Sequence, residues 1–423
     1  MAIVPFIYFT ALTVYWWFKH RSLDVCVYMS ALYAITAFCA AVIVYGDMLN
    51  TDYGILFDRY DVELGIIPTL LYCGLITLTI FPFSLIYNKE IQSVSPPSSL
   101  LLECLCWLLF FVFFINFYLI ADSTLEILSG DLSTVRTDHY EGLESPADIK
   151  AQSMPTIFGY ILYFRHVTIL GLPLFFYYEC FSNKSWWFKA LLIATSFTMP
   201  LYGMQMADRT EFTFYGMMFI FCLVFFWKFL TRKFKRRMCI IGSPFVLAIL
   251  IYLIAVSQAR FSQNDDGEKA YESVFDYVGQ NYLNFCFFWE KANFEHIAAE
   301  RELPFTHHLL YGVDSNAERR EERSGKQGFF ISVFPTFAGD IMLDITPVGV
   351  VIWCMIFFVF SLSLIRYAHK ETYDVGDILA IFTLAAVPIF GIFYYRYYFV
   401  QSIYLFIAVA AIFLVSKFRI IYK

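Results

Sequence analysis

The chain has 423 residues, of which 59% are hydrophobic, 21% are aromatic and only 16% carry charge. Soluble domains carry charge on about a quarter of their residues, so this composition and the mean hydropathy of +0.61 exclude a water-soluble globular enzyme. The formal net charge of -6 excludes the global positive field that holds nucleic acid. The sequence therefore predicts an integral membrane protein that does not bind nucleic acid.

Long apolar runs follow one another along the whole chain. A membrane-spanning helix needs about 20 mostly apolar residues, and eleven runs approach this length. Their centres lie near Phe9, Ile35, Leu75, Phe111, Leu170, Ile193, Phe219, Ile249, Phe357, Leu384 and Ile407. We therefore predict an all-α, polytopic membrane protein with about 11 (11–12) spans, in a single transmembrane domain over residues 1–423.

The ten cysteines do not indicate a disulfide framework or a metal site. Most lie inside apolar runs or at their ends, where a cysteine behaves as a small hydrophobic residue. The sequence contains no CxxC or CxxH spacing, no nucleotide-binding loop and no GxSxG motif. We therefore expect neither a metal ion nor any other cofactor.

The connections between the runs alternate in charge. Basic residues occupy every second connection and the carboxyl-terminal end, namely Lys19 and Arg21, Lys89, Lys184 and Lys189, Arg232 to Arg237, Arg366 and Lys370, and Lys417 to Lys423. Basic connections face the cytoplasm. This pattern predicts an external amino terminus and a cytoplasmic carboxyl terminus.

Two of the predicted external connections are long, residues 122–156 and residues 258–335. The second contains a dense aromatic block, Tyr282 to Trp289, which we interpret as part of interfacial helices along the outer membrane surface. Gly328 to Leu343 is apolar enough for a twelfth crossing, but Pro335 and Gly339 interrupt it. We interpret that stretch as a re-entrant or surface piece.

Four arginines are predicted at the level of the outer leaflet. Arg165 lies within the fifth apolar run, whereas Arg209, Arg260 and Arg396 lie at the external ends of other runs. An arginine in a membrane is costly without a partner, and guanidinium groups bind phosphate through two parallel hydrogen bonds. The set predicts a diphosphate site. The alternative for Arg209, Arg260 and Arg396 is an interfacial anchor or a pair with a nearby acid.

Three residues are candidates for a general base. The adjacent His307 and His308 lie in the long external segment, where a neutral imidazole takes a proton from a hydroxyl group. Asp340, four residues before Asp344, opens the next apolar run. The alternatives are exposed loop histidines, and aspartates that cap a helix or pair with the arginines.

The chain resembles the Wzy-type oligosaccharide repeat-unit polymerases of bacterial surface-polysaccharide assembly, which are distantly related to the O-antigen ligases. The resemblance lies in ADRTEF around Arg209, the long external segment from Arg260 onward, GDIMLDITPVG from Gly339 to Gly349, and the layout of spans. It implies a GT-C-like fold in the bacterial inner membrane, with the active site facing the periplasm. The implied activity is a metal-independent glycosyltransferase that extends a polyprenyl-diphosphate-linked glycan.

The resemblance also implies partners: the lipid-linked oligosaccharide, membrane lipid, and a flippase and a chain-length regulator of the same pathway. Two alternatives remain open at this point. One is a non-enzymatic flippase for the same lipid, because a cationic cavity also binds diphosphate. The other is a ligase-like glycosyltransferase with the same donor and a different acceptor. The large external segments and the absence of an internal repeat favour an enzyme over the flippase.

Overall fold

The structure is a computed structural model, and almost all of its described backbone is helical. It describes residues 1–46, 55–56, 62–86, 90–91, 96–129, 150, 153–205, 209–238, 240, 270–294, 324–331, 333–367, 372–398 and 402–417. Each statement below concerns these residues.

The helices and strands are numbered in chain order. The α-helices are α1 (Ile3–His20), α2 (Val25–Tyr45), α3 (Ile66–Ile80), α4 (Pro96–Ser129), α5 (Thr156–Tyr163), α6 (Gly171–Phe181), α7 (Trp186–Ser196), α8 (Thr198–Gln205), α9 (Thr210–Phe226), α10 (Ala270–Lys291), α11 (Thr336–Tyr367), α12 (Val375–Phe390) and α13 (Ser402–Lys417). Three 3-10 helices cover Phe81–Leu85, Phe164–Leu170 and Arg396–Tyr398. Two strands, β1 (Glu90–Ile91) and β2 (Thr372–Tyr373), have two residues each.

The helices are those of a membrane protein. Five helical segments are long and apolar enough to cross a bilayer, namely Val25–Tyr45, Ile66–Leu85, Leu100–Ala121, Thr156–Phe181 and Thr336–Arg366. Large apolar side chains are exposed along these segments, such as Trp107, Phe111 and Tyr118 on α4. Exposed apolar faces of this extent require lipid. The prediction of an all-α membrane protein is confirmed.

The predicted centres of the spans coincide with helices wherever the structure describes them. Ten of the eleven centres fall on helical elements, and the eleventh, Ile249, lies outside the described residues. The sixth predicted span, around Ile193, consists of two short helices, α7 and α8. The number of crossings stays a prediction.

The chain forms two compact units. Unit 1 comprises Met1–Glu90, Glu268–Tyr373 and Thr383–Val400. Unit 2 comprises Ile91–Gly267, Asp374–Phe382 and Gln401–Lys423.

In unit 1, α10 packs against α2, α3 and α11. Its contact with α2 is close, since a Cβ atom at Gly279 would lie 2.6 Å from the backbone nitrogen of Ala40. The second half of α10, Tyr282 to Phe288, is buried inside the unit. This is the aromatic block that the sequence assigns to the membrane interface; its place relative to the membrane stays a prediction.

Helix α11 of unit 1 is broken near its start. Ile345 and Thr346 leave the helical conformation, with Thr346 at φ 75°, and Pro347 follows. Residues 336–344, before the break, are buried. The helical part of the stretch from Gly328 to Leu343 is therefore buried inside unit 1, and its place relative to the membrane stays a prediction.

In unit 2, the segment from α5 to α6 changes its helical type midway. Residues Phe164–Leu170 form a 3-10 helix between the two α-helices. This 3-10 helix packs against α4, α8 and α13. A 3-10 piece within a longer helix often marks a functional hinge, and here it carries Arg165.

Candidate functional site

The structure assigns the predicted site residues to both units. Arg396, Asp340 and Asp344 belong to unit 1, and Arg165 and Arg209 belong to unit 2. Arg260, His307 and His308 lie outside the described residues.

The centre of the unit 1 site is an irregular, buried connection between α12 and the last 3-10 helix, which we name the 391–395 turn (Gly391 to Tyr395). All of its residues are buried, and Arg396 follows it directly. Gly391 is required here, because a Cβ atom would lie 2.2 Å from the carbonyl oxygen of Val387. Irregular backbone at this depth needs a partner for each buried polar group.

The amino-terminal end of α11 supplies two of these partners. The N–H of Thr336 donates to the carbonyl oxygen of Phe393 at 3.0 Å, and the N–H of Phe337 donates to that of Gly391 at 2.9 Å. The first N–H groups of a helix have no partner within the helix. The turn and the helix end therefore satisfy each other's backbone groups.

Two buried side chains hold the same turn. Asp340 Oδ2 accepts a hydrogen bond from the N–H of Tyr395 at 2.8 Å. Asn281 Nδ2, on α10, donates to the carbonyl oxygen of Ile392 at 2.6 Å. Asp340 is 1% exposed and Asn281 is 0% exposed. Side chains from two helices thus fix the backbone that precedes Arg396.

Aromatic rings pack on the turn. Phe334 stacks on Tyr394 with the ring centroids 5.8 Å apart. Tyr277 packs against both Phe334 and Phe393, at 5.0 and 5.7 Å. Trp353, further along α11, lies edge-on to Tyr395. These contacts exclude water from the turn and lower the local dielectric constant.

Arg396 is buried within this apolar surrounding. It is 3% exposed, and its guanidinium carbon lies 5.6 Å from the ring centroid of Phe390. The neighbouring Tyr397 is anchored, since its hydroxyl donates to the carbonyl oxygen of Thr383 at 2.6 Å. Burial of a guanidinium costs several kcal/mol unless charge or hydrogen bonds compensate it. Such a residue is typical of a functional site in a membrane protein.

A row of polar side chains on α10 was not predicted from the sequence. Asp276, Gln280 and Asn284 are spaced by four residues, so they lie on one face of the helix. Asn284 Nδ2 donates to Gln280 Oε1 at 3.3 Å, and its Oδ1 accepts from the N–H of Leu56 at 3.0 Å. All three side chains are buried. The four-residue spacing inside an aromatic segment was the signal that could have revealed them.

The two carboxylates of α11, those of Asp340 and Asp344, lie on one face of that helix. Asp344 follows Asp340 by one turn and is fully buried, directly before the break at Ile345. Buried carboxylates on α10 and α11 therefore accompany the buried arginine in unit 1. Within the described part of the chain, no group of three histidine, cysteine or acidic side chains has the arrangement of a metal site.

In unit 2, Arg165 stacks on an aromatic ring of α8. Its guanidinium carbon lies 3.8 Å from the ring centroid of Tyr202. Its carbonyl oxygen accepts a hydrogen bond from the hydroxyl of Thr168 at 2.5 Å, within the 3-10 helix. Contact with the face of an aromatic ring helps to hold a guanidinium in place and leaves it charged.

Arg209 stands at the beginning of α9. Its carbonyl oxygen accepts from both the N–H and the hydroxyl of Thr213, each at 3.0 Å. Glu211, in the first turn of α9, is buried. The N–H groups and dipole of a helix start favour an anion, and the carboxylate of Glu211 lies in this first turn. Diphosphate binding by Arg209 stays a prediction.

A scan against protein-family models found no match, and searches of curated proteins and of solved structures found none either. The functional conclusion therefore rests on the residues and their geometry.

Proposed function

We propose that this protein is a membrane-embedded glycosyltransferase that joins polyprenyl-diphosphate-linked oligosaccharide repeat units into a surface polysaccharide. The proposed location is the inner membrane of a bacterium, with the reaction at the periplasmic face. Arg165, Arg209, Arg260 and Arg396 bind the lipid diphosphate in this proposal. The base that activates the acceptor hydroxyl is one of His307, His308 and Asp340.

The observation that carries the proposal is the buried Arg396 on its fixed turn. Arg396 is nearly inaccessible to water, and hydrogen bonds from α10 and α11 hold the preceding backbone. A pre-organised positive charge in a water-poor site stabilises negative charge that develops in a reaction. A diphosphate leaving group develops such charge.

In the proposed reaction, atoms and electrons balance without a cofactor. The oxygen of the acceptor hydroxyl forms a bond to the anomeric carbon of the donor, and the bond from that carbon to the diphosphate oxygen breaks. The base takes the hydroxyl proton, and the bonding electrons leave with the diphosphate. Arginines remain protonated throughout and stabilise the departing anion.

Arg165 supports the same assignment from unit 2. Its position in the interrupted segment Thr156–Phe181, stacked on Tyr202, differs from that of an interfacial anchor, which extends along lipid headgroups. A stacked arginine keeps a fixed orientation. This favours recognition of a specific anion, such as a phosphate group, over general attraction to the membrane.

A second candidate function is transport of the same lipid-linked oligosaccharide. The observation in its favour is the pair of interrupted helices, with a break at Ile345 and Thr346 in α11 and the 3-10 helix Phe164–Leu170. Transporters place their substrate sites at discontinuous helices. A transporter moves the lipid without extending the glycan, so chain length separates the two functions.

The test replaces each of the four arginines by alanine in cells that make the polysaccharide, and it measures polymer length on a gel. We expect each variant to lose polymer, because one transition-state contact contributes roughly 3 kcal/mol, about a hundredfold in rate. Immunoblots of membranes check that the variants accumulate. Arg209→Lys should also fail, since lysine keeps the charge but loses the planar fork.

Wild-type chain lengths in the alanine variants would refute the diphosphate assignment. Wild-type chain lengths in Arg209→Lys would identify Arg209 as an interfacial anchor, for which lysine suffices. Loss of the whole glycan from the outer surface, with unpolymerised lipid-linked units retained on the cytoplasmic side, would identify the transporter.

A further inference from the structure

We propose that Asp340 and Asn281 are positioning residues that hold Arg396 in the orientation that binds diphosphate. This inference rests on the proposed function and assigns Asp340 to a role other than the base. Neither side chain needs to touch the substrate. Both act through the 391–395 turn.

The geometry shows how the two residues act. Asp340 binds the N–H of Tyr395, the residue before Arg396, and Asn281 binds the carbonyl oxygen of Ile392. Within the turn, the N–H of Gly391 donates to the carbonyl oxygen of Val387 and the N–H of Phe393 donates to that of Phe390, and the two side chains add bonds at Ile392 and Tyr395. These two side chains, with the backbone N–H groups of Thr336 and Phe337, fix the position of the backbone from which the Arg396 side chain extends.

The chemistry of the two contacts is opposite, and this makes them separable by mutation. Asp340 contributes an acceptor, which an asparagine amide oxygen also supplies. Asn281 contributes a donor, which a leucine of similar size does not. A base, in contrast, must take a proton, which asparagine cannot do. The Asp340→Asn variant therefore distinguishes a holder of the backbone from a base.

A matched control comes from another buried hydrogen bond of unit 1. The hydroxyl of Tyr33, on α2, donates to the carbonyl oxygen of Pro388 at 2.8 Å, three residues before the turn begins. Tyr33 is fully buried, as Asn281 is. Tyr33→Phe removes one side-chain hydrogen bond to the regular part of α12 and leaves the turn intact.

The experiment titrates the purified full-length protein in lipid nanodiscs with geranylgeranyl diphosphate, and it measures chain growth for the same variants. We expect Asp340→Asn to bind within about twofold of wild type and to support polymer. Asp340→Leu and Asn281→Leu should each bind about tenfold more weakly, the effect of roughly one misplaced charged contact. Tyr33→Phe should bind like wild type.

Several results would overturn the inference. Binding by Asp340→Asn as weak as that by Asp340→Leu would mean that the charge of Asp340 matters and not its hydrogen-bond acceptor. Normal diphosphate binding by Asp340→Asn without chain growth would make Asp340 the base. An equal loss in Tyr33→Phe would mean general destabilisation. Each of these leaves the proposed function standing, whereas wild-type protein that does not bind the diphosphate would overturn both.

Discussion

The two described arginines with aromatic partners differ in how their charge is accommodated. The guanidinium carbon of Arg165 lies 3.8 Å from the ring centroid of Tyr202, whereas that of Arg396 lies 5.6 Å from the ring centroid of Phe390, and Arg396 is more deeply buried. The attraction between a cation and a ring falls with distance. Tyr202 therefore contributes more to the orientation of Arg165 than Phe390 does to that of Arg396.

Replacement of Tyr202 tests this contribution. Tyr202→Leu should slow chain growth about fivefold, because a desolvated cation–π contact contributes roughly 1 kcal/mol. Tyr202→Phe keeps the ring and should give wild-type polymer. The measurement is polymer length at equal membrane abundance. A Phe variant as impaired as the Leu variant would show that the hydroxyl group, and not the ring, is what matters.

At the residue scale, the sequence reveals charged side chains that lie within apolar segments. It does not reveal the hydrogen bonds that fix an irregular backbone. Arg165 and Arg396 stand out because they interrupt apolar and aromatic runs. Asn281 does not stand out, since an asparagine in a segment interpreted as an external surface helix needs no explanation. Its role depends on Ile392, a residue 111 positions away.

At the scale of the helix, apolar runs in the sequence predict where the helices lie. They predict poorly where a helix breaks or changes from α to 3-10. The break in α11 has a sequence signal, because Pro347 cannot continue a regular helix. The 3-10 helix Phe164–Leu170 has a partial signal, since Pro173 has no N–H to donate to the carbonyl oxygen of Ile169, but the start of this helix at Phe164 depends on tertiary contacts. Those contacts, with α4, α8 and α13, come from distant parts of the sequence.

The packing of α10 on α2 gives a prediction about stability. Gly279→Ala places a Cβ atom 2.6 Å from backbone of α2, which cannot move aside as a side chain can. We expect a loss of about 1–3 kcal/mol, typical of overpacking. The measurement is the thermal unfolding temperature of the purified protein in detergent.

Gly74→Ala is the control for this prediction. Gly74 lies on α3 of the same unit, and a Cβ atom there would meet nothing within 4 Å. Alanine has a higher helix propensity than glycine by about 1 kcal/mol, so this variant should unfold at the same or a higher temperature. If Gly279→Ala unfolded at the same temperature as Gly74→Ala, the result would contradict the close contact between α10 and α2.

At the scale of the whole molecule, composition alone identifies a helical membrane protein, but not its division into units. Helix α12 illustrates the reason. Its residues up to Phe382 belong to unit 2, and those from Thr383 belong to unit 1. A continuous apolar run carries no mark of such a boundary, because the boundary is set by contacts between segments far apart in sequence.

The alternating charge of the connections predicts the topology. Single cysteines placed near Asp138 and Asn316 should react with a membrane-impermeant maleimide from outside in intact cells. Cysteines near Lys235 and Lys417 should react only after permeabilisation, because basic connections face the cytoplasm. Reaction from outside near Lys417 would contradict the eleven-span arrangement and would favour a crossing by Gly328 to Leu343.

The proposed chemistry assigns charge stabilisation to arginines, so the purified protein should extend a polyprenyl-diphosphate-linked oligosaccharide without nucleotide and without divalent metal. The measurement is the length of the glycan formed by the protein in liposomes, in the presence of EDTA. We expect chains of many repeat units, and release of one polyprenyl diphosphate for each bond formed. Loss of chain growth in EDTA that magnesium specifically restores, or extension only with added nucleotide, would contradict the mechanism.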